Sequence, residues 1–215
     1  MRVSAQQRNR PMNDQIFETV VTTVDAGGQP HVAPMGVRYR GEQVILMPFR
    51  PSTTLDNIAT TGHAVLNLVT DTRVFAGSVT ARLLGRRDWP LLPAERIHGV
   101  RLAMALGHVE LTLAHQSDDP ERPVLTLARL HAVQHAPFIG FNRAQSAVIE
   151  GAVLVSRLGM LAPAKVDAEL AYLQIAIDKT AGAEEREAWD WLLEAVARHR
   201  AGDAANATSS KDASA

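Results

Sequence analysis

The chain has 215 residues, of which 46% are hydrophobic, with a formal net charge of -1 and a pI near 6.7. That length supports a full core in one or two domains. The near-neutral balance leaves no basic field for binding nucleic acid through phosphate neutralisation. No cysteine is present, which excludes disulfides, thiolate catalysis and cysteine-ligated zinc or iron–sulfur centres. Aromatic residues are only 5% of the chain, too few for a stacking platform for single-stranded nucleic acid. The segment 1–15 is polar and bears arginines. It lacks the apolar stretch of a signal peptide and reads as a flexible N-terminus. No run approaches the roughly 18 apolar residues of a membrane span. The expectation is a soluble, cytoplasmic protein that binds neither membrane nor nucleic acid.

The first elements read as strands. Ile16–Val24 is rich in β-branched residues, Asp25-Ala26-Gly27-Gly28 is a turn signal, and His31–Tyr39 resumes an extended pattern, so the spacing predicts a hairpin. Arg40-Gly41-Glu42 turns again into Gln43–Phe49, which completes a three-stranded meander. Leu55–Thr61 reads as a short helix closed by Gly62, and Ala64–Val69 as a buried strand. Asp71–Gly77 reads as a loop, and the pattern from there to Gly85 fits no single element. Two further strands are expected near Leu106–Leu113 and Val124–Val133, separated by the charged turn 116–122.

The last third changes period. From Ala144 to Leu158 the residues Ala147, Val148, Gly151, Leu154, Val155 and Leu158 recur on one helical face, and Pro163 ends that helix. Val166–Lys179 and Glu184–Arg200 predict two more amphipathic helices joined at Ala181-Gly182-Ala183. Trp189, Leu192, Leu193 and Val196 are their expected core face. Asp167, Glu169, Glu184, Glu185 and Glu187 are expected to be solvated. Strands first and helices last make an α+β chain: a β-barrel of six or seven strands over 16–143, C-terminal helices over 144–200 packed on it, and a disordered tail over 201–215.

The segment Arg50-Pro51-Ser52-Thr53-Thr54-Leu55-Asp56-Asn57 carries the strongest chemical signal. A strand that ends in a cation and three hydroxyls before a helix start is built to hold an anion, because that terminus presents unpaired N–H groups and partial positive charge. It reads as the phosphate grip of a mononucleotide, with Asn57 one turn in. The competing reading makes Thr53 an N-cap with Asp56 at the third helical position.

Glu18–Val24, Val32-Ala33-Pro34-Met35-Gly36-Val37, Pro48-Phe49 with the Thr53-Thr54 helix start, and Gly140-Phe141-Asn142-Arg143-Ala144 ahead of Ala147–Ala152 resemble, in order and spacing, a family of FMN-binding split-barrel proteins. Its members occur in methanogens and in bacteria that use tetrahydromethanopterin. The wider superfamily includes flavin reductases and pyridoxamine-phosphate oxidases. The resemblance runs from about residue 16 to 200. It implies an antiparallel split β-barrel with a C-terminal helical subdomain, and a homodimer with one FMN per subunit near the interface. The phosphate would lie at Arg50, Ser52, Thr53, Thr54 and Asn57, the isoalloxazine beside Pro34, Met35, Gly36 and Val37. Asp71 and Phe75 would border the ring or ribityl chain.

Within that frame, Gly36 either lets a flavin lie flat on its strand or marks a barrel-closing bulge, and Met35 reads as core packing. Asn142 and Arg143, at a loop-to-helix junction, either hold an anionic substrate or the partner subunit's cofactor, or are a cap and a solvated charge. Glu150 reads as an exposed or paired carboxylate. Of the eight histidines, His131 and His135 are spaced for a shared metal only on a helix, whereas the segment looks extended; His98, His108 and His115 form no constellation, and no metal is expected. No phosphate-loop, dinucleotide or nucleophile-elbow motif is present. The resulting expectation is an FMN-dependent redox enzyme acting on a small molecule, linked through the family to tetrahydromethanopterin one-carbon chemistry. The alternatives are a non-catalytic FMN-binding, sensing or carrier protein, and a structural protein whose ligand site is lost.

Overall fold

The computed structural model describes residues 15–212, with side chains to Gly202. Apart from Gln15, the expected flexible N-terminus lies outside the described residues. The chain forms two compact units. One comprises the residues up to Thr70 together with Trp89–Phe138, and the other Asp71–Asp88 and the chain from Ile139 on.

The first unit is an antiparallel closed barrel built from β1 (Phe17–Val24), β2 (Pro30–Arg40), β3 (Gln43–Leu46), β4 (His63–Leu68), β7 (Gly107–Gln116) and β8 (Leu125–Gln134), in the order β1-β2-β3-β8-β7-β4. The first hairpin folds where the sequence places it. Asp25 Oδ1 accepts the N–H groups of Gly27 and Gln29, and Gly28 takes the positive φ that the turn requires. From there β1 and β2 pair without a break, from Val24↔Pro30 to Phe17↔Val37. Gly36 therefore stands in regular register, and the bulge alternative fails. Alternation sends Val21, Val37, Val44, Leu46, Leu66, Leu111 and Leu127 into a fully buried interior. α1 (Thr53–Thr61) adds Leu55 and Ile58 to that core.

The opposite face of β1, β4 and β7 is covered by the segment carrying β5 (Leu91–Pro93) and β6 (Val100–Leu102). Asn67 holds this cover. Its Oδ1 accepts the Leu102 N–H at 2.8 Å, and its Nδ2 reaches Val20 O, Thr22 Oγ1 and Val65 O. Sequence reading misses these two strands, each only three residues long.

The second unit holds α2 (Arg73–Leu84), α3 (Arg143–Val155), α4 (Pro163–Thr180) and α5 (Ala183–Asp212). α2 replaces the expected loop at 71–77, so residues 71–88 leave the expected barrel segment and join the helices. Thr72 at its N-cap makes no side-chain cap, and its β-branched residues and Gly77 hide the helical period. Burial of Val74, Phe75, Ala76 and Thr80 stabilises it instead. Pro163 opens α4 at its first turn. α3 and α5 touch closely at Gly151, where a Cβ would lie 2.8 Å from Trp189 Cζ3.

Three helix details differ from expectation. Leu193 is 38% exposed while Trp189, Leu192 and Val196 are buried. Glu185 is buried rather than solvated: its carboxylate accepts the Gly182 N–H, half of a capping box, and the Gln145 side-chain N–H. α5 continues to Asp212 rather than stopping at Arg200. Alanines at 201, 204, 205 and 207 favour the helix beyond the last buried position. No helix of the described residues is long and apolar enough to cross a membrane.

Candidate functional site

The segment from Met47 to Arg50 leaves β3 and is fixed to the loop that precedes β8. The Arg50 N–H donates to Glu121 O at 2.9 Å, and Arg122 Nε donates to Met47 O at 3.1 Å. The Arg122 guanidinium lies 4.3 Å from the centre of the Phe49 ring. Arg50 is exposed at the end of this tether. Two residues on, α1 begins, with Ser52 as its N-cap in place of Thr53. Ser52 Oγ accepts the Leu55 N–H at 3.2 Å, and its carbonyl accepts the first intrahelical bond from Asp56. The first-turn amides of Thr53 and Thr54 have no intrahelical acceptor.

The expected phosphate residues thus divide. Arg50, Ser52 and Thr53 stand at the surface or half-buried around the helix start, whereas Thr54 and Asn57 are buried. Asn57 Nδ2 donates to Thr23 Oγ1 at 3.0 Å, tying α1 to β1. The surface group is one guanidinium and two hydroxyls beside first-turn amides without intrahelical acceptors, a donor set suited to a phosphate. Asp56 in the same turn favours the helix dipole and opposes an anion.

On β2 the pleat separates the ring-binding candidates. Val37 is fully buried in the barrel core and Met35 packs against it, which bears out Met35 as core packing. Pro34 and Gly36 face outward. A Cβ at Gly36 would sit 2.7 Å from Ile16 Cγ2, so only glycine fits that face in this packing. The Ile16 side chain thus lies over the outward face of Gly36, and a ring laid there would have to displace it.

Asp71, Phe75, Asn142 and Arg143 belong to the helical unit. Asp71 grips Arg73 at 2.7 Å, and Arg73 also reaches Glu187 at 3.1 Å. The hydrogen bond to Asp71 is the main reason the guanidinium holds its proton even more firmly than usual. Phe75 is buried within α2. Asn142 is the N-cap of α3. Its Oδ1 accepts the Ala144 N–H at 2.8 Å and its Nδ2 donates to Thr180 O at 3.0 Å. Arg143 and Glu150 are exposed.

Sequence reasoning missed one constellation. His108, assigned to none, bonds His135 and the buried Glu110. The signal was the His-x-Glu alternation at 108–110, which puts both side chains on one face of a strand. His131 and His135 do not converge on a common ligand; His131 pairs with Glu95 at 3.0 Å. Among the described residues no group of three histidine or carboxylate side chains is placed to hold a metal ion.

The fold places the chain among known structures. It superposes on an FMN-bound protein of Methanosarcina mazei with a TM-score of 0.71 and 20% identity, over 85% of this chain and 96% of that one. A flavin reductase with a split-barrel domain from Shewanella frigidimarina is more distant, at TM-score 0.49 and 11% identity over 60% of this chain and 75% of that one. Flavoredoxin from Methanosarcina acetivorans aligns at TM-score 0.46 and 11% identity, over 59% and 75%. No curated protein matches the chain. Residues 17–136 match the family described as protein of unknown function (DUF447), N-terminal domain, and residues 142–194 match its companion described as protein of unknown function (DUF447). The chain, an antiparallel split barrel with a C-terminal helical region, belongs to the DUF447 family.

Proposed function

We propose that this protein is an FMN-binding flavoprotein that uses the bound flavin for redox chemistry on a small molecule. The observation that carries this reading is the start of α1. There an exposed Arg50, with its backbone tethered, and the hydroxyl residues Ser52 and Thr53 stand at a helix start whose first amides lack intrahelical acceptors. Support comes from the M. mazei relative, which is described as FMN-bound. Arg50, Ser52, Thr53 and the α1 amides would hold the phosphate, and the outward side of β2 at Pro34 and Gly36 would receive the ring once the half-exposed Ile16 side chain turns away. Asn57 supports the grip from inside by fixing α1 to β1, and Thr54 is buried beside it. FMN would supply the hydride or electron transfer, and the chain would supply position and electrostatics. The small molecule falls in the class of reduced pterins, nicotinamides or other flavins.

The same reading includes a homodimer. Ile139 is 94% and Phe141 97% exposed on the approach to α3, apolar surface of the kind that subunit contacts cover. Light scattering of the purified protein gives the mass directly, and a monomer at all concentrations removes this part of the proposal.

The cofactor is tested by titrating the purified protein with FMN and following quenching of flavin fluorescence. Saturable binding is expected. Arg50→Ala should weaken it about 10- to 100-fold, the loss of one charge-assisted contact worth roughly 1.5–3 kcal/mol. Arg50 is exposed and its side chain lies outside the core, so the variant should fold. Absence of FMN uptake refutes the flavoprotein reading. Equal affinity in the variant refutes the phosphate assignment alone. Bleaching of the bound flavin by NADH or NADPH separates an enzyme from a carrier.

A further inference from the structure

β7 carries a built arrangement of titratable groups that the flavin reading does not use. His108 and Glu110 share the outer face of the strand, with side-chain exposure of 0% for both. The Glu110 carboxylate accepts backbone N–H groups from Glu95 at 2.6 Å, Arg96 at 2.9 Å and Ile97 at 3.0 Å. Burial alone would raise its pKa. The three amides and His108 outweigh burial and hold the carboxyl below its ordinary range. Glu110 is therefore an anion at neutral pH, enclosed by the segment it anchors.

The anion fixes the protons of its neighbours. His108 Nε2 lies 3.3 Å from Glu110 Oε1, and His108 Nδ1 lies 2.8 Å from His135 Nε2, with the two rings parallel to within 4°. A carboxylate only accepts, so His108 carries its proton on Nε2 and, when neutral, offers Nδ1 as an acceptor. His135 then donates from Nε2, and its Nδ1 lone pair is left at the exposed end of the chain of bonds. The groups that act on His135 come from three sides. Desolvation lowers its pKa most, the Arg101 charge on β6 and His108 lower it further, and Glu95 opposes them. His131 is itself bonded to Glu95, and its ring centre is 6.4 Å from that of His108. A base oriented by a second residue, which is in turn oriented by a buried carboxylate, is the general plan of side-chain proton transfer.

We propose that His135 is an acid–base group for a small oxyanion attracted by Arg101, with His108 and Glu110 as its positioning residues. In the forward step a weakly acidic O–H of the bound molecule gives its proton to His135 Nδ1. The electron pair stays on the ligand oxygen, and the imidazolium is stabilised through His108 by the Glu110 anion. The reverse step returns the proton, and no oxidant or reductant enters. This site stands apart from the α1 segment and does not depend on flavin binding.

The test is imidazole NMR across a pH series on the full chain, with and without inorganic phosphate as the probe at constant ionic strength. His135 should titrate below the ordinary imidazole value, and phosphate should shift the resonances of His135 and Arg101. Glu110→Gln should lower the proton affinity of His135 about tenfold, because a compensating charge is lost through the bonded chain. Should that variant not fold for want of its anchor, His108→Gln is read in the same way. His135→Gln, an exposed change, should abolish the phosphate shift at Arg101. The proposal is overturned if His135 titrates at the ordinary imidazole value and is unmoved in the folded positioning variant, which leaves Glu110 an anchor alone. It is equally overturned if phosphate leaves His135 and Arg101 unshifted.

Discussion

Replacing Asn67 by leucine should release the β5–β6 cover from the barrel. Asn67 is fully buried and has three acceptors in reach of Nδ2: Val20 O at 3.2 Å, Thr22 Oγ1 at 3.1 Å and Val65 O at 3.2 Å. An amide has only two hydrogens, so two donated bonds are the limit, plus the one accepted from Leu102. Losing these three bonds costs about 3 kcal/mol, and a buried, unpaired Leu102 N–H adds about 1–3 more. Leucine is close to asparagine in size, and its apolar burial returns roughly 1.5–3 kcal/mol. The net loss is about 1–4.5 kcal/mol. Urea unfolding followed by far-UV circular dichroism would measure it, and hydrogen exchange at the Leu102 amide would locate it. That amide should be protected in the natural chain and exchange freely in the variant. An unchanged midpoint with Leu102 still protected would refute the account of Asn67 as the clasp.

Two further outcomes follow from other contacts. Gly151→Ala puts a methyl 2.8 Å from Trp189 Cζ3 and 3.0 Å from Leu192 Cδ1. Overpacking there costs about 1–3 kcal/mol, against a gain of about 1 kcal/mol in helix propensity; thermal unfolding should show a small net loss, and a higher midpoint would contradict the close approach of α3 and α5. Glu110, whose pKa is depressed by folding, contributes stability that is present above the ordinary carboxylate pKa of about 4.3 and is lost as pH falls through the lower folded value. Acid unfolding should therefore be flatter in Glu110→Gln, and an identical acid limb in both chains would show that Glu110 is not ionised in the fold.

The strands were legible because two local signals agreed. In β1 and β2 the alternating β-branched residues and the Asp25–Gly28 turn specify one register, and the paired residues match it. α1 was legible too, although its cap is displaced by one residue. Ser52 and Thr53 both carry a hydroxyl, and the local sequence does not choose between them. α2 was not legible, since its stability comes from burying Val74, Phe75 and Ala76 against distant residues rather than from its own period. The histidine–carboxylate chain was hidden for a related reason. The spacing of His108 and Glu110 is local, but the three amides that make Glu110 an anion and the ring of His135 arrive from other segments.

Barrel size decides where chemistry can occur in this unit. With six strands, the interior is filled by Val21, Val37, Leu46, Leu66, Leu111, Leu127 and the α1 residues Leu55 and Ile58. A barrel this narrow holds side chains and leaves no room for a flavin. Ligands must meet the outer face or the rim. Over β1, β4 and β7 the outer face is closed by the β5–β6 cover, held by Asn67 and Glu110. The α1 start and the outward side of β2 at Pro34 and Gly36 lie elsewhere in this unit, and the proposed flavin contacts fall on them. The cover in turn encloses Glu110 and His108 while leaving His135 at the surface. The same segment that denies the flavin one part of the barrel thus creates the low-dielectric setting in which a buried carboxylate acts through two imidazoles.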